Sequence, residues 1–281
     1  MSNIKILVAT HKNAQFPKDD IFLPIHVGKA LSDIDLHIQG DDKGENISAK
    51  NRGYAELTAM YWAWKNLENL EYIGLCHYRR YFNFHNRGLF FSDSQIISAK
   101  QFSEIHLKFP DPKILFEKFD VIIAKPILYR YSIFIDYCVG HYSEDLKTTL
   151  DIVSEKNPDY KKSIYEVFHR SNRLSPYNMM IMKWDDYSDY CQWLFDILNE
   201  AEKRINTSYY NDTQSRIWGY LAERLFNLYI HHNKLIKKEI PIYKIDDTMK
   251  DPSLILRTAR TVRNKLSFFI GKAGPKKNLK N

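Results

Sequence analysis

The sequence predicts an α/β fold: a mixed, mostly parallel sheet flanked by helices, with a basic amphipathic helix at the C-terminus. Three observations carry this. Apolar runs of strand length recur at residues 4–9 (IKILVA), 72–76 (YIGLC), 119–124 (FDVIIA) and 178–182 (NMMIM). Segments with helical spacing separate them. Polar groups follow the first three runs directly, as Thr10-His11-Lys12, His77-Tyr78-Arg79-Arg80 and Lys125.

The elements can be justified in order. Residues 4–9 read as a buried first strand, and 21–27 and 36–39 as two further short strands. Residues 40–51 (GDDKGENISAKN) form a polar loop of turn-forming residues. Tyr54, Leu57, Thr58, Tyr61, Trp62 and Lys65 then recur at helical spacing and predict a helix over 52–68. Residues 83–112 read as a long irregular loop with one short helix, the length of a functional lid. Residues 129–171 are expected to be mainly helical, with His141 and Asp145 four apart on one face. A long helix starts at Asp185 or Asp186 and runs to Arg204; another spans 212–231; residues 236–245 are extended. In the tail, Ile255, Ala259, Val262, Leu266, Phe269 and Ile270 share one helical face, with Arg257 and Arg260 opposite.

Composition narrows the function. The chain has 281 residues and three widely spaced cysteines, Cys76, Cys138 and Cys191, with no zinc spacing. These fit a reducing compartment. The start, MSNIKILVATHK, lacks the layout of a signal peptide, and no apolar run reaches membrane-spanning length. The expected location is therefore cytoplasmic. The net charge of +7 is concentrated after Asp251, where eight Lys and Arg face no acidic residue. The rest carries 33 basic against 34 acidic residues, which argues against a nucleic-acid partner. Residues 255–281 are read as a helix lying on an anionic membrane surface, the alternative being a helix packed on the body. The expected division is 1–250 for the main domain and 251–281 for the tail.

Neither a P-loop nor a GxGxxG fingerprint is present, so any phosphate must be held by polar residues at strand ends. His77, Tyr78, Arg79 and Arg80 stand where open α/β sheets bind ligands. Arginine suits phosphate through its forked, charge-assisted hydrogen bonds. Against this stands the plain reading that Arg79 and Arg80 pair with surface carboxylates. Divalent metals that bridge diphosphates want carboxylate oxygens. Asp33/Asp35, Asp41/Asp42 and Asp185/Asp186 are the candidate pairs, and none follows a convincing strand. No metal ligand is assigned, and the reading is metal-free, with Mg or Mn left as an option without an Asp-x-Asp. For acid–base work the best carboxylate is Glu223 in RIWGYLAERL, where Gly219 permits close backbone approach; a helix-surface ion pair is the alternative. Glu56 is read as an anchor for a neighbouring basic group. His141, Tyr142 and Asn178 are the candidates for acceptor contact, His141 and Asp145 being otherwise a structural pair.

The strings ILVATHK (6–12), NISAKNRGYAELTAMYWAWKN (46–66), YIGLCHYRRYF (72–82), FDVIIAKP (119–126), YNMMIMKWDDYSDYCQWLFDIL (177–198) and RIWGYLAERLFNLYI (216–230) resemble a bacterial glycosyltransferase family. That family was long catalogued as a domain of unknown function and occurs in capsular and exopolysaccharide gene clusters. The resemblance covers about residues 3–245 and leaves the tail out. It implies a GT-A-like, Rossmann-like fold and a nucleotide-sugar donor, UDP-linked, with galactofuranosyl transfer among the family's activities. It implies that Thr10, His11 and Lys12 meet the nucleotide and that Lys50, Asn51 and Tyr54 hold nucleotide or diphosphate. His77, Tyr78 and Arg79 then occupy the usual Asp-x-Asp position, with Arg80 beside them, and His77 joins Glu223 as a catalytic candidate. Glu223 is placed as the general base of an inverting enzyme. The expected enzyme works at the inner face of the plasma membrane on a lipid-linked glycan of capsule, exopolysaccharide or O-antigen. A non-catalytic scaffold binding carbohydrate or anionic lipid is the competing expectation.

Overall fold

The computed structural model describes residues 3–85 and 93–273. The expected tail charges Lys276, Lys277 and Lys280 lie outside them. The strands are β1 Ile4–Thr10, β2 Phe22–His26, β3 Gln39–Gly40, β4 Tyr72–His77, β5 Arg80–Phe82 and β6 Ser94–Ile97. They continue as β7 Val121–Ala124, β8 Ile127–Leu128, β9 Arg173–Leu174, β10 Met180–Lys183, β11 Lys237–Ile240 and β12 Ile242–Ile245. The helices are α1 Asn51–Tyr54, α2 Leu57–Asn66, α3 Ala99–Glu104, α4 Pro112–Phe116 and α5 Ile133–Gly140. After these come α6 Ser143–Lys156, α7 Lys161–Ile164, α8 Trp184–Arg204, α9 Ile217–His232 and α10 Leu254–Ala273.

The main sheet runs β11-β7-β10-β4-β1-β2-β3. Along this path β10 alone is antiparallel to its neighbours, β4 and β7; the β1–β2, β1–β4, β2–β3 and β7–β11 pairs are parallel. The expected mixed, mostly parallel sheet is present. The chain moves one way from β1 to β2 and β3, then returns to place β4 on β1's other edge, so the strand order switches between β1 and β4. Such a switch opens a crevice beyond the carboxyl ends of the two strands. At that crevice stand Thr10 and His77.

Strand alternation divides the core. Leu7, Ile73, Leu75, Val121, Ile123, Met180 and Met182 pack with the α2, α8 and α9 side. Ile6, Val8, Cys76, Ile122, Ala124 and Ile181 pack on the other face with Tyr81, Phe82, Phe102 and Phe116. Each strand buries both faces, which is why these runs are continuously apolar rather than alternating. Gly74 is required inside β4, because a Cβ there would lie 2.8 Å from Ile181 Cγ1 and 3.0 Å from the Met180 carbonyl oxygen.

Several expectations are corrected. The helix over 52–68 is two helices, broken at Ala55, which has a φ of 48°. The break frees Glu56 to turn inward. His141 and Asp145 share no helix: α5 ends at Gly140, His141 is extended, and Asp145 sits in α6, accepting the Tyr210 hydroxyl at 2.6 Å. The segment expected to be a loop with one helix also contributes β6, which pairs with β12. The close approach expected at Gly219 occurs at Gly53 instead, where a Cβ would meet Trp218 Cδ1 at 2.7 Å; at Gly219 the nearest atom would be 3.7 Å away.

Candidate active site

The site is built on the segment that leads into β10. Tyr177 and Asn178 both adopt positive φ, 71° and 52°. For residues with a Cβ this costs energy and needs support from the surroundings. Three side chains supply it. Glu223, on α9, accepts the Tyr177 N–H through Oε1 at 2.9 Å. The Asn178 amide, fully buried, donates to Glu56 Oε1 at 2.8 Å and to the Gly219 carbonyl at 3.3 Å. His77, at the end of β4, bonds the Tyr177 carbonyl through Nε2 at 2.7 Å. A carbonyl only accepts, so the His77 proton sits on Nε2 and Nδ1 carries the lone pair of the neutral ring. One strained dipeptide thus brings together α1–α2, β4, β10 and α9.

Electrostatics sharpen the cluster. Burial pushes the His77 pKa down, and the cations Arg80 and Arg216 push the same way against the Glu56 carboxylate and the bond to Tyr177. Burial pushes the Glu223 pKa up, aided by Glu56 and opposed by Arg224, the Tyr177 N–H and Arg80. Arg224, itself buried, bonds Glu223 Oε2 at 3.1 Å and its guanidinium lies 5.2 Å from the Tyr137 ring. The arrangement is a neutral imidazole, two inward carboxylates and converging arginines at the sheet's switch point. It can hold an anion and take up a proton.

On the β1 side, Thr10 shapes the loop rather than presenting itself: it is buried, donates to the Lys12 carbonyl at 2.6 Å and accepts the Lys12 N–H at 3.2 Å. The loop lifts His11 and Lys12 to the surface. Both meet Tyr78, His11 edge-on at 5.6 Å between ring centroids and the Lys12 ammonium 5.6 Å from the centroid. Burial, then Lys12, Arg216 and His26, lowers the His11 pKa.

The remaining expected residues divide. Asn51 reaches the sheet ends, packed against Gly28 just beyond β2, while its amide closes α1 on the Ala55 carbonyl at 2.7 Å. Lys50 pairs with Glu202 at 2.6 Å, and Tyr54 is buried between Phe195 and Trp218. These two stand apart from the His77 cluster. Arg79 meets the plain reading: it donates to the Ile245 carbonyl at 2.9 Å and to Asp246 at 2.7 Å. Arg80 lies 4.3 Å from the Tyr177 ring centroid. His141 stacks on Tyr220 and bonds Gln214, behind Tyr137 and Arg224; Tyr142 packs on Tyr209 and Tyr210. Of the three acceptor candidates only Asn178 is in the cluster. Among the described residues, no three His, Cys, Asp or Glu side chains form a group that could hold a metal ion.

Sequence reasoning missed Tyr177, which acts through its backbone, and the true partner of Glu56, which is the Asn178 amide rather than a cation. It also gave no role to Lys244, which lies opposite Arg80 in the β5–β12 ladder.

Comparison with known proteins places the fold. The apo structure of the bifunctional glycosyltransferase WbbM aligns with 88% of the chain at a TM-score of 0.80 and 32% sequence identity. The aligned region is 46% of that larger protein, so the chain spans about half its length. No curated protein sequence matches. The model of one family, Domain of unknown function (DUF4422), matches residues 5–234, and the chain belongs to that family.

Proposed function

We propose that the chain is a glycosyltransferase that moves a sugar from a nucleoside-diphosphate donor to an acceptor hydroxyl. The observation that carries this reading is the His77–Tyr177–Glu223 arrangement at the switch point, on a fold shared at 32% identity with a glycosyltransferase. His11 and Lys12 with Tyr78 offer a rim for the nucleotide on the β1 side; Arg80 and Arg216 offer charge for the diphosphate. Glu223 acts as base. Desolvation, which raises its pKa, gives it the proton affinity that task requires.

In the proposed step the acceptor oxygen forms a bond to the anomeric carbon as its proton passes to the Glu223 carboxylate. The bond from that carbon to the diphosphate oxygen breaks, and its electron pair leaves on the diphosphate. Cations fixed before the reaction stabilise the leaving charge without reorganising. Attack from the face opposite the leaving group inverts the anomeric centre. The donor we favour is UDP-linked, with galactofuranose the first sugar to try, and the acceptor a lipid-linked glycan.

The location we favour, a membrane surface, rests on α10. Ile255, Leu266, Phe269 and Ile270 are exposed, at 80%, 56%, 72% and 66%, while Arg257, Thr261, Asn264 and Phe268 turn toward the body. The expected amphipathic helix thus presents its apolar face outward, with Arg263 at its edge, which suits the surface of an anionic membrane. Among the described residues no helix is long and apolar enough to cross a membrane. The test is a thermal-shift screen with nucleoside diphosphates and their sugars. A rise in melting temperature with UDP or a UDP-sugar, saturating with concentration, is expected; no response to any nucleoside diphosphate would refute the reading.

A further inference from the structure

A cavity of about 540 Å³ lies between α10 and the flank of the sheet, on the far side of β4 from β1. Its walls come from β5, β11, β12, the segment after β7 and the inner face of α10. Eight Lys and Arg line it against three acids; Arg79, Arg173 and Arg257 are paired to Asp246, Glu239 and Asp251, and the excess that matters is that of Arg80, Lys244, Arg260 and Lys265. The surplus is built in at one point especially. Arg80 and Lys244 are direct Cα partners in the antiparallel β5–β12 ladder, and both approach one ring, Tyr177, at 4.3 and 5.6 Å from its centroid. Like charges facing each other across a ladder destabilise a sheet. Arg260 and Lys265 from α10 add two more cations to the same space.

We propose that this cavity is a second anion site, adjoining the donor site, which takes a phosphate or diphosphate ester. An anion between Arg80 and Lys244 turns a repulsive cross-strand pair into a bidentate cradle, with Arg260 and Lys265 closing it from α10. The outward apolar face of α10 puts the site beside the surface where a phosphate-bearing lipid would lie. Arg80 and Tyr177 stand on the common wall: Arg80 lowers the pKa of both His77 and Glu223, and both residues line the cavity, so the two sites meet there. The cavity assignment does not depend on the transferase reading.

The experiment is thermal denaturation of the whole chain with inorganic pyrophosphate, at matched ionic strength and with UDP saturating. The native chain should show a further rise in melting temperature with pyrophosphate. Lys244→Gln should melt about 1–3 °C higher than the native chain without anion, because the repulsion is relieved. Lys244→Gln combined with Arg260→Gln should bind pyrophosphate at least about tenfold more weakly while the UDP response stays unchanged. Displacement of pyrophosphate by phosphatidylcholine vesicles carrying phosphatidylglycerol, but not by phosphatidylcholine alone, would assign the site to a lipid headgroup. Retention would assign it to a soluble diphosphate. If pyrophosphate adds nothing once UDP is bound, or if the double variant binds it as the native chain does, the proposal is overturned. A chain that ignores UDP but loses its pyrophosphate response in the double variant would keep the cavity and sink the donor reading.

Discussion

The end of β4 and the C-terminal helix are held to the molecule in opposite ways. At β4, a strained dipeptide is fixed by Glu56, His77 and Glu223 from three separate parts of the chain, through hydrogen bonds of 2.7–2.9 Å, of which the one to Glu56 is fully buried. At α10, the apolar face is left outside, and attachment runs through polar contacts: the Asn264 amide on the Leu128 carbonyl at 2.7 Å, and Arg257 on Asp251 and the Ser94 carbonyl. The first region holds strain in a rigid frame, which suits the reacting site proposed there. The second adds little to the core and keeps hydrophobic surface available for something else.

The largest expected effect separates chemistry from support at the first region. Glu223→Gln keeps an oxygen for the Tyr177 N–H but cannot take up a proton. It should lower kcat by about 10²–10⁴-fold while the chain stays folded, the lost contact to Arg224 lowering the melting temperature. A loss under about tenfold would make Glu223 a positioning residue. Next comes Asn178→Leu, which removes the amide from Glu56 and leaves that carboxylate buried. It should cost about 2–3 kcal/mol in denaturant unfolding; a cost below about 0.5 kcal/mol would contradict the account of the strained dipeptide.

A pH series sharpens the same contrast. Burial is the largest cause lowering the folded-state pKa of His77, His11, His26 and His141 below the ordinary 6.5. Below that pH the unfolded chain binds protons that the folded chain refuses, so stability falls as the pH drops through this window and is flat in these groups above it. The melting temperature should fall from pH 7 toward pH 5, less steeply in His77→Gln. The smallest effect belongs to the second region. Truncation after Pro252 should shift the melting temperature by less than about 3 °C, while binding to anionic vesicles disappears.

Legibility in the sequence followed the same division. β1, β4, β7 and β10 could be read because strands buried on both faces are continuous apolar runs. His77 and Glu223 could be singled out as candidates because titratable groups ended or interrupted such runs. Tyr177 could not, since its contribution is a backbone dihedral and two main-chain bonds. Nor could the break at Ala55, because the flanking residues keep helical spacing through it. Lys244 needed tertiary pairing: only the β5–β12 register, across more than 160 residues, sets it opposite Arg80. The tail periodicity gave the helix but not its orientation, which depends on Asn264 and Arg257 finding partners on the body.

On the proposed reading, the β1 and β4 ends hold a nucleoside diphosphate. Isothermal titration with UDP tests it most directly, comparing the native chain with Lys12→Ala and with Arg80→Ala. Saturable binding to the native chain is expected, weakened about tenfold or more in each variant with the fold intact. Undetectable binding of any nucleoside diphosphate, or equal affinity in all three proteins, would contradict it.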